Sequence, residues 1–182
     1  MIASVFIGTS VDGFIARLNG SFDFLPEGGG EPHGYNEFFA SVDALVIGRK
    51  TFEIVLAFAE WPYGDKRVIV LSTQKLDLSK VPAGRVEQMQ GAPREIVSTL
   101  ESSGVRHIYV DGGVTIQRFL REGMIQRLFI TRVPVLIGEG IPGVFRINYA
   151  RGPRERSPNT FYHDFRQIDC RPICGCLVLW IN

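Results

Sequence analysis

Apolar positions in this chain come in short blocks, and the spacing inside the blocks switches between two regimes. IASVFIGTS (2–10), ALVIGRK (44–50), RVIVLST (67–73), RHIYVD (106–111) and RLFITRVPVLIG (127–138) are rich in Val and Ile, and most run out at Gly, Ser or Thr. Such runs predict strands. The middle three are almost continuously apolar, the pattern of strands covered on both faces in a parallel sheet. Between them the period lengthens. In YNEFFASV (35–42) Phe38, Phe39 and Val42 share a helical face, as do Phe52, Val55 and Leu56 in TFEIVLAF (51–58). APREIVSTLESSG (92–104) opens on a Pro, aligns Ile96, Val97 and Leu100, and stops at Gly104. TIQRFLREG (115–123) turns Ile116, Phe119 and Leu120 inward and stops at Gly123.

Strands alternating with helices predict an α/β domain with a mainly parallel sheet. Pro134, inside the last long run, implies an edge position or a bulge there. PEGGGEPHGYN (26–36) is a loop by composition and stands where a lid over a site would be. Beyond Gly143 no clear period remains, and residues 143–182 carry six Arg against three acids. The apolar CLVLWIN (176–182) reads as a final strand. The expectation is one domain over 1–182 with an atypical C-terminal segment, 143–182.

Three of the predicted strands end in groups that bind anions. HIYVDGGVT (107–115) runs from a strand through Gly112-Gly113 into a helix, where the glycines allow a sharp turn and the helix start offers free N–H groups. Gly48-Arg49-Lys50-Thr51 puts two cations and a hydroxyl at another helix start, and Ser72-Thr73 adds hydroxyls at a third strand end. Ligands of open parallel sheets bind at the carboxyl ends of strands. Donors spread over three such ends suit a ligand with several phosphates, which a dinucleotide has.

Composition narrows the partners. The 182 residues are 45% hydrophobic and 21% charged with a net charge of +1, so neither nucleic acid nor an acidic membrane is indicated. No apolar run approaches the ~18 residues of a spanning helix. The start, MIASVFIGTSVDG, lacks the basic region of a signal peptide, which makes the cytoplasm the expected location. Cys170, Cys174 and Cys176 follow a C-x3-C-x-C spacing that matches no standard zinc site, so no metal is expected. Two nucleotide-binding motifs are missing. The first strand ends IGTSVDG, without the G-x-G-x-x-G of a Rossmann dehydrogenase, and no G-x-x-x-x-G-K-[ST] occurs.

Six segments in order carry a resemblance: TSVDGFIA (9–16), GSFDFL (20–25), SVDALVIGRKTFE (41–53), WPYGDKRVIVLST (61–73), IYVDGGVTIQRFL (108–120) and RLFITRVPVLIGEGIP (127–142). Over about residues 2–142 the chain resembles the dihydrofolate reductase-like family, specifically stand-alone proteins similar to the reductase domain of the bacterial riboflavin-biosynthesis deaminase/reductase. The resemblance implies a mainly parallel central sheet flanked by helices on both faces, closed by a C-terminal antiparallel strand or hairpin. It also implies NADPH as cofactor and hydride delivery to a small planar heterocycle, pterin- or pyrimidine-like. By the same resemblance Gly48, Arg49 and Thr51 contact cofactor phosphates, with Lys50 beside them. Ser72 and Thr73 lie near the adenosine ribose and its 2′-phosphate, and Gly112, Gly113, Val114 and Thr115 wrap the pyrophosphate. Asp12 stands near the nicotinamide and substrate. Glu37 is a candidate substrate acid on the helix after the 26–36 loop. Asp12, Glu37 or an ordered water would supply the proton that follows the hydride.

The tail departs from the family pattern, and RPICGCLVLWIN (171–182) is either its closing hairpin in diverged form or an aberrant extension. The deaminase signature, H-x-E with a later P-C-x-x-C, is absent, so only the reductase half is resembled. The resulting expectation is a cytoplasmic, homodimeric, NADPH-dependent reductase. The alternative is a nucleotide-binding or sensing protein without turnover.

Overall fold

The computed structural model describes residues 1–25, 34–143, 168–173 and 176–181. Ten strands form in chain order: β1 Ile2–Thr9, β2 Phe14–Ala16, β3 Ala44–Gly48, β4 Arg67–Leu71, β5 Val86–Met89, β6 His107–Asp111, β7 Arg127–Arg132, β8 Ile141–Pro142, β9 Ile168–Ile173 and β10 Cys176–Ile181. Helices α1 Tyr35–Ser41, α2 Arg49–Val55, α3 Pro93–Ser102 and α4 Gly113–Arg121 lie between them. The large sheet has the order β5-β4-β3-β6-β1-β7-β10-β9. Its first six strands are all parallel, and β10 and β9 close it as an antiparallel hairpin on β7. The α/β architecture, the parallel sheet and the closing hairpin all match the sequence expectation.

Both faces of the sheet are covered. On one, Val5, Ile7, Val46, Ile108 and Val110 pack under Ile96 and Leu100 of α3 and Ile116 and Phe119 of α4. On the other, Leu45, Ile47, Val68, Val70 and Tyr109 pack under Phe38 of α1 and Phe52 and Val55 of α2. This second layer is strongly aromatic. Phe6 stacks on Phe129 at 5.7 Å and meets Tyr35 edge-on at 5.3 Å, while Phe38 sits 5.0 Å from both Tyr109 and Phe129. At the opposite end of the strands from the site, Asp43 accepts the N–H groups of Arg106 and His107, and His107 Nε2 lies 2.7 Å from Ser4 Oγ. His107 is therefore structural, as its place at the start of a strand suggests.

Two elements differ from expectation. The 127–138 run breaks after Arg132. Val133 N–H still reaches Thr9 O at 2.8 Å, but Pro134 has no N–H, and Val135 N–H closes back on Val133 O at 2.7 Å. Residues 133–140 then form a strap, and β8 pairs antiparallel with β2 in a separate two-stranded sheet. β5 (VEQM) is the second. It is an edge strand held by the Arg67–Glu87 pair at 2.8 Å and by Gln88, whose Nε2 donates to Ser72 O at 3.0 Å. The 26–36 loop lies almost entirely outside the described residues.

Candidate active site

The carboxyl ends of β4, β3, β6, β1 and β7 stand in a row at one end of the sheet. Two of them are built alike. β3 ends in Gly48 and α2 starts at once; β6 ends in Asp111, Gly112 follows, and α4 starts. Neither helix has a side-chain cap. Each carries a Thr three residues after its glycine, and the two threonines cross. A Cβ at Gly48 would lie 2.8 Å from Thr115 Oγ1, and a Cβ at Gly112 would collide with Thr51 Oγ1. At Gly112 the backbone itself (φ 90, ψ 128) requires glycine.

Two helix starts are thus pressed together with two hydroxyls between them. The first N–H groups of a helix have no helical acceptor and carry the positive end of its dipole. Val114, in the first turn of α4, is 68% exposed. Gly48, Thr51, Gly112, Gly113, Val114 and Thr115 could together hold an anion such as a diphosphate, through backbone and hydroxyl donors.

Gly113 is the first helical residue, and the positive φ of the turn belongs to Gly112 instead. Its small size serves packing. A Cβ there would meet Ile15 Cδ1 at 2.9 Å, Ile141 Cγ2 at 3.0 Å and Pro142 O at 3.4 Å, so the β2–β8 sheet rests directly on the start of α4.

Of the remaining cofactor candidates near this centre, Arg49 and Ser72 are otherwise engaged and Lys50 and Thr73 are exposed. Arg49 pairs with Glu53 one turn along α2. Gly48 pairs with Leu71, so Ser72 follows on the neighbouring strand end. Its Oγ donates to Gln74 O at 2.7 Å and accepts from Gln74 N–H at 3.0 Å.

On the aromatic face the site holds an acid that sequence reasoning passed over. Asp111 Oδ1 accepts the Gly112 N–H at 2.7 Å. Burial raises its carboxyl above the ordinary range, and that one hydrogen bond does not compensate. Three phenols are near enough to feel it. Tyr35 is pushed up to about 12, mainly by burial and then by Asp111, and Tyr63 and Tyr109 are raised by the same two causes in the same order. Tyr109 spends its hydroxyl on Phe6 O at 2.9 Å. On β7, Thr131 Oγ1 is buried without a hydrogen-bond partner among the described residues. Glu37 is exposed, while Tyr35, Phe38 and Phe39 are the residues of α1 that pack in the aromatic layer.

Asp12 is held in place. Its Oδ2 accepts the Gly138 N–H at 2.8 Å and its Oδ1 accepts the Ile137 N–H at 3.4 Å. Burial pushes its carboxyl up, but hydrogen bonds from Ser10, Gly138 and Ile137 outweigh that and hold it below the ordinary value.

Known proteins align with this chain over most of its length. The model of the RibD C-terminal domain family matches residues 3–148. The uncharacterized protein YwjB of Bacillus subtilis is 32% identical over 141 residues, covering 76% of this chain and 79% of YwjB. The structure of a candidate riboflavin biosynthesis protein from Shewanella sp. PV-4 superposes with a TM-score of 0.74 at 32% identity, covering 100% of this chain and 99% of that one. A diaminohydroxyphosphoribosylaminopyrimidine deaminase/5-amino-6-(5-phosphoribosylamino)uracil reductase from Thermotoga maritima shares the fold, with a TM-score of 0.66 at 13% identity over 98% of this chain and 55% of that one.

Proposed function

We propose that this chain, which belongs to the RibD C-terminal domain family, is an NADPH-dependent reductase that delivers hydride to a small planar heterocycle. One observation carries the reading: the crossed pair of helix starts at Gly48 and Gly112 lies directly beside a half-buried acid, Asp111, whose carboxyl is shifted upward. The first feature suits a dinucleotide diphosphate, and the second suits a proton donor.

A reduced nicotinamide, when bound, supplies the hydride. The chain's own residues do the rest. The starts of α2 and α4 with Thr51 and Thr115 hold the diphosphate. The partly buried aromatic layer of Phe6, Tyr35 and Phe129 is the place where a planar acceptor would stack. Asp111, whose carboxyl burial shifts toward the protonated form, donates the proton that balances the hydride, and the phenol of Tyr35 can hydrogen-bond the acceptor's edge. Pterins and pyrimidines, including a 5-amino-6-(5-phosphoribosylamino)uracil-like compound, have the required shape and polar edges. The reading also takes the enzyme to be a cytoplasmic homodimer, of which light scattering on the pure protein checks the second part.

Titrating pure protein with NADPH while following its fluorescence tests the cofactor assignment. A saturable change is expected, and no change at millimolar cofactor would overturn it. Consumption of NADPH with a pyrimidine or pterin acceptor then separates a reductase from a protein that binds without turnover.

Arg49 gives a sharper test of the 2′-phosphate. To grip it, the guanidinium must leave Glu53. An exposed pair is worth about 0.2–1 kcal/mol and a charge-assisted bond about 1.5–3 kcal/mol. The net gain of roughly 0.5–2.8 kcal/mol corresponds to about 2- to 100-fold in affinity. Arg49→Ala should weaken NADPH by that factor and leave NADH almost unchanged. Equal losses for both would place Arg49 on the shared diphosphate.

A further inference from the structure

Asp12 sits in a turn between two strands, yet its carboxylate is bonded to residues 125 and 126 positions away. Those residues, Ile137 and Gly138, form the far end of the 133–140 strap. The strap and the 10–16 segment are joined at further points. Val11 N–H donates to Val135 O at 2.9 Å, Gly143 N–H donates to Gly13 O at 3.0 Å, and β2 pairs with β8. All of these are backbone contacts except the Asp12 clamp. The assembled pair then bears on α4: Ile15, Ile141 and Pro142 O crowd Gly113, and Gln117 Nε2 donates to Pro142 O at 3.1 Å. A continuous path of contacts therefore runs from the Asp12 carboxylate to the first turn of α4.

We propose that Asp12 is a positioning residue: it clamps the 133–140 strap to the β1–β2 turn and so fixes the start of α4 against which the cofactor diphosphate binds, rather than exchanging a proton with substrate. Both carboxylate oxygens are committed to backbone N–H groups, and a carboxylate so bonded is a poor proton donor at neutral pH. Gly138 takes φ +74, a conformation that the clamp holds at the strap's tip. The link to the cofactor rests on the reductase reading above. The clamp itself does not.

The experiment has two arms. In the ligand-free protein, hydrogen exchange at the Ile137 and Gly138 amides should be at least tenfold faster in Asp12→Ala than in wild type, with Asp12→Asn between them because its amide oxygen still accepts one bond. Unchanged exchange in Asp12→Ala overturns the clamp, whether or not NADPH binds. In the second arm, the NADPH dissociation constant should rise about tenfold in Asp12→Ala, a loss of about 1.4 kcal/mol, with partial recovery in Asp12→Asn. The pH profile of kcat should keep its shape in both. A proton donor would behave otherwise: Asp12→Asn would be as inactive as Asp12→Ala at unchanged NADPH affinity, and that result sinks the proposal. Wild-type protein that fails to bind NADPH would count against the reductase reading alone, leaving the exchange arm to decide the clamp. Should Asp12→Ala not fold, Asp12→Asn carries both arms.

Discussion

Asp111→Asn is expected to lower kcat by roughly 10²- to 10⁴-fold, the usual contribution of a positioned general acid, while raising the melting temperature at neutral pH. The two halves of this expectation share one cause. Asp111 accepts the Gly112 N–H, and the amide oxygen of Asn can accept it equally, so the turn is preserved. What Asn lacks is the ionisable proton. Burial raises the folded-state pKa of Asp111 above its unfolded value of about 3.9. Between those two values the folded protein binds more protons than the unfolded chain, so stability declines as pH rises through the window. Wild type above the window carries that loss; Asp111→Asn never incurs it. Melting curves of the two proteins should therefore converge at acid pH and separate as pH increases. The wild-type rate should fall on the alkaline side as Asp111 ionises, because a general acid must be protonated to act. A variant as active as wild type would remove Asp111 from the chemistry. A melting difference independent of pH would show that its ionisation does not govern stability.

Why this acid was illegible in the sequence is a matter of what burial depends on. In HIYVDGG, Asp111 followed by Gly reads as a turn signal, and nothing local says that the carboxyl is partly withdrawn from water. Its surroundings come from three separate parts of the chain: Tyr35 on α1, Tyr63 before β4, and Tyr109 two residues earlier on the same face of β6. One signal was available. A run buried on both faces that ends in an acid puts that acid at the ligand-binding end of a parallel sheet. Glu37 and Tyr35 illustrate the converse. Two residues apart on α1 they point to different sides, and the acid takes the solvent side.

The parallel strands β3, β4 and β6 could be read because central strands are apolar on both faces. β5 could not, since an edge strand needs only one buried side chain, Val86. The pairing of β2 with β8 depends on contacts more than 120 residues apart and on segments of three and two residues, too short for any period. The glycine turn itself was legible, with the roles of its two glycines divided differently from the simplest expectation.

That division leads to the largest stability effect expected at the site. Gly112→Ala should lower the melting temperature substantially, and Thr51→Ala should only partly restore it. Alanine at Gly112 meets two separate obstacles. The first is conformational: φ 90 with ψ 128 is reached almost only by glycine, and holding another residue there costs about 1–3 kcal/mol. The second is steric, since the new Cβ falls on Thr51 Oγ1, with Thr115 Oγ1 a further contact at 3.9 Å. For a chain of this length each kcal/mol lowers the melting point by about 2–4 °C, so the conformational part alone predicts a fall of roughly 2–12 °C. Deleting the Thr51 hydroxyl removes the collision and leaves the backbone strain. The double variant should therefore melt between Gly112→Ala and wild type, with a coupling of about 0.5–3 kcal/mol between the sites. NADPH affinity should not recover with the melting point, because Thr51 is itself one of the proposed phosphate donors. Strictly additive melting effects would mean that the crossed packing of Gly112 on Thr51 does not exist. Gly113→Ala makes the contrast: as a helical residue it meets no conformational barrier, and its Cβ displaces Ile15 and Ile141 by a few tenths of an ångström. A loss there comparable to that at Gly112 would overturn the assignment of backbone strain to Gly112 and of packing to Gly113.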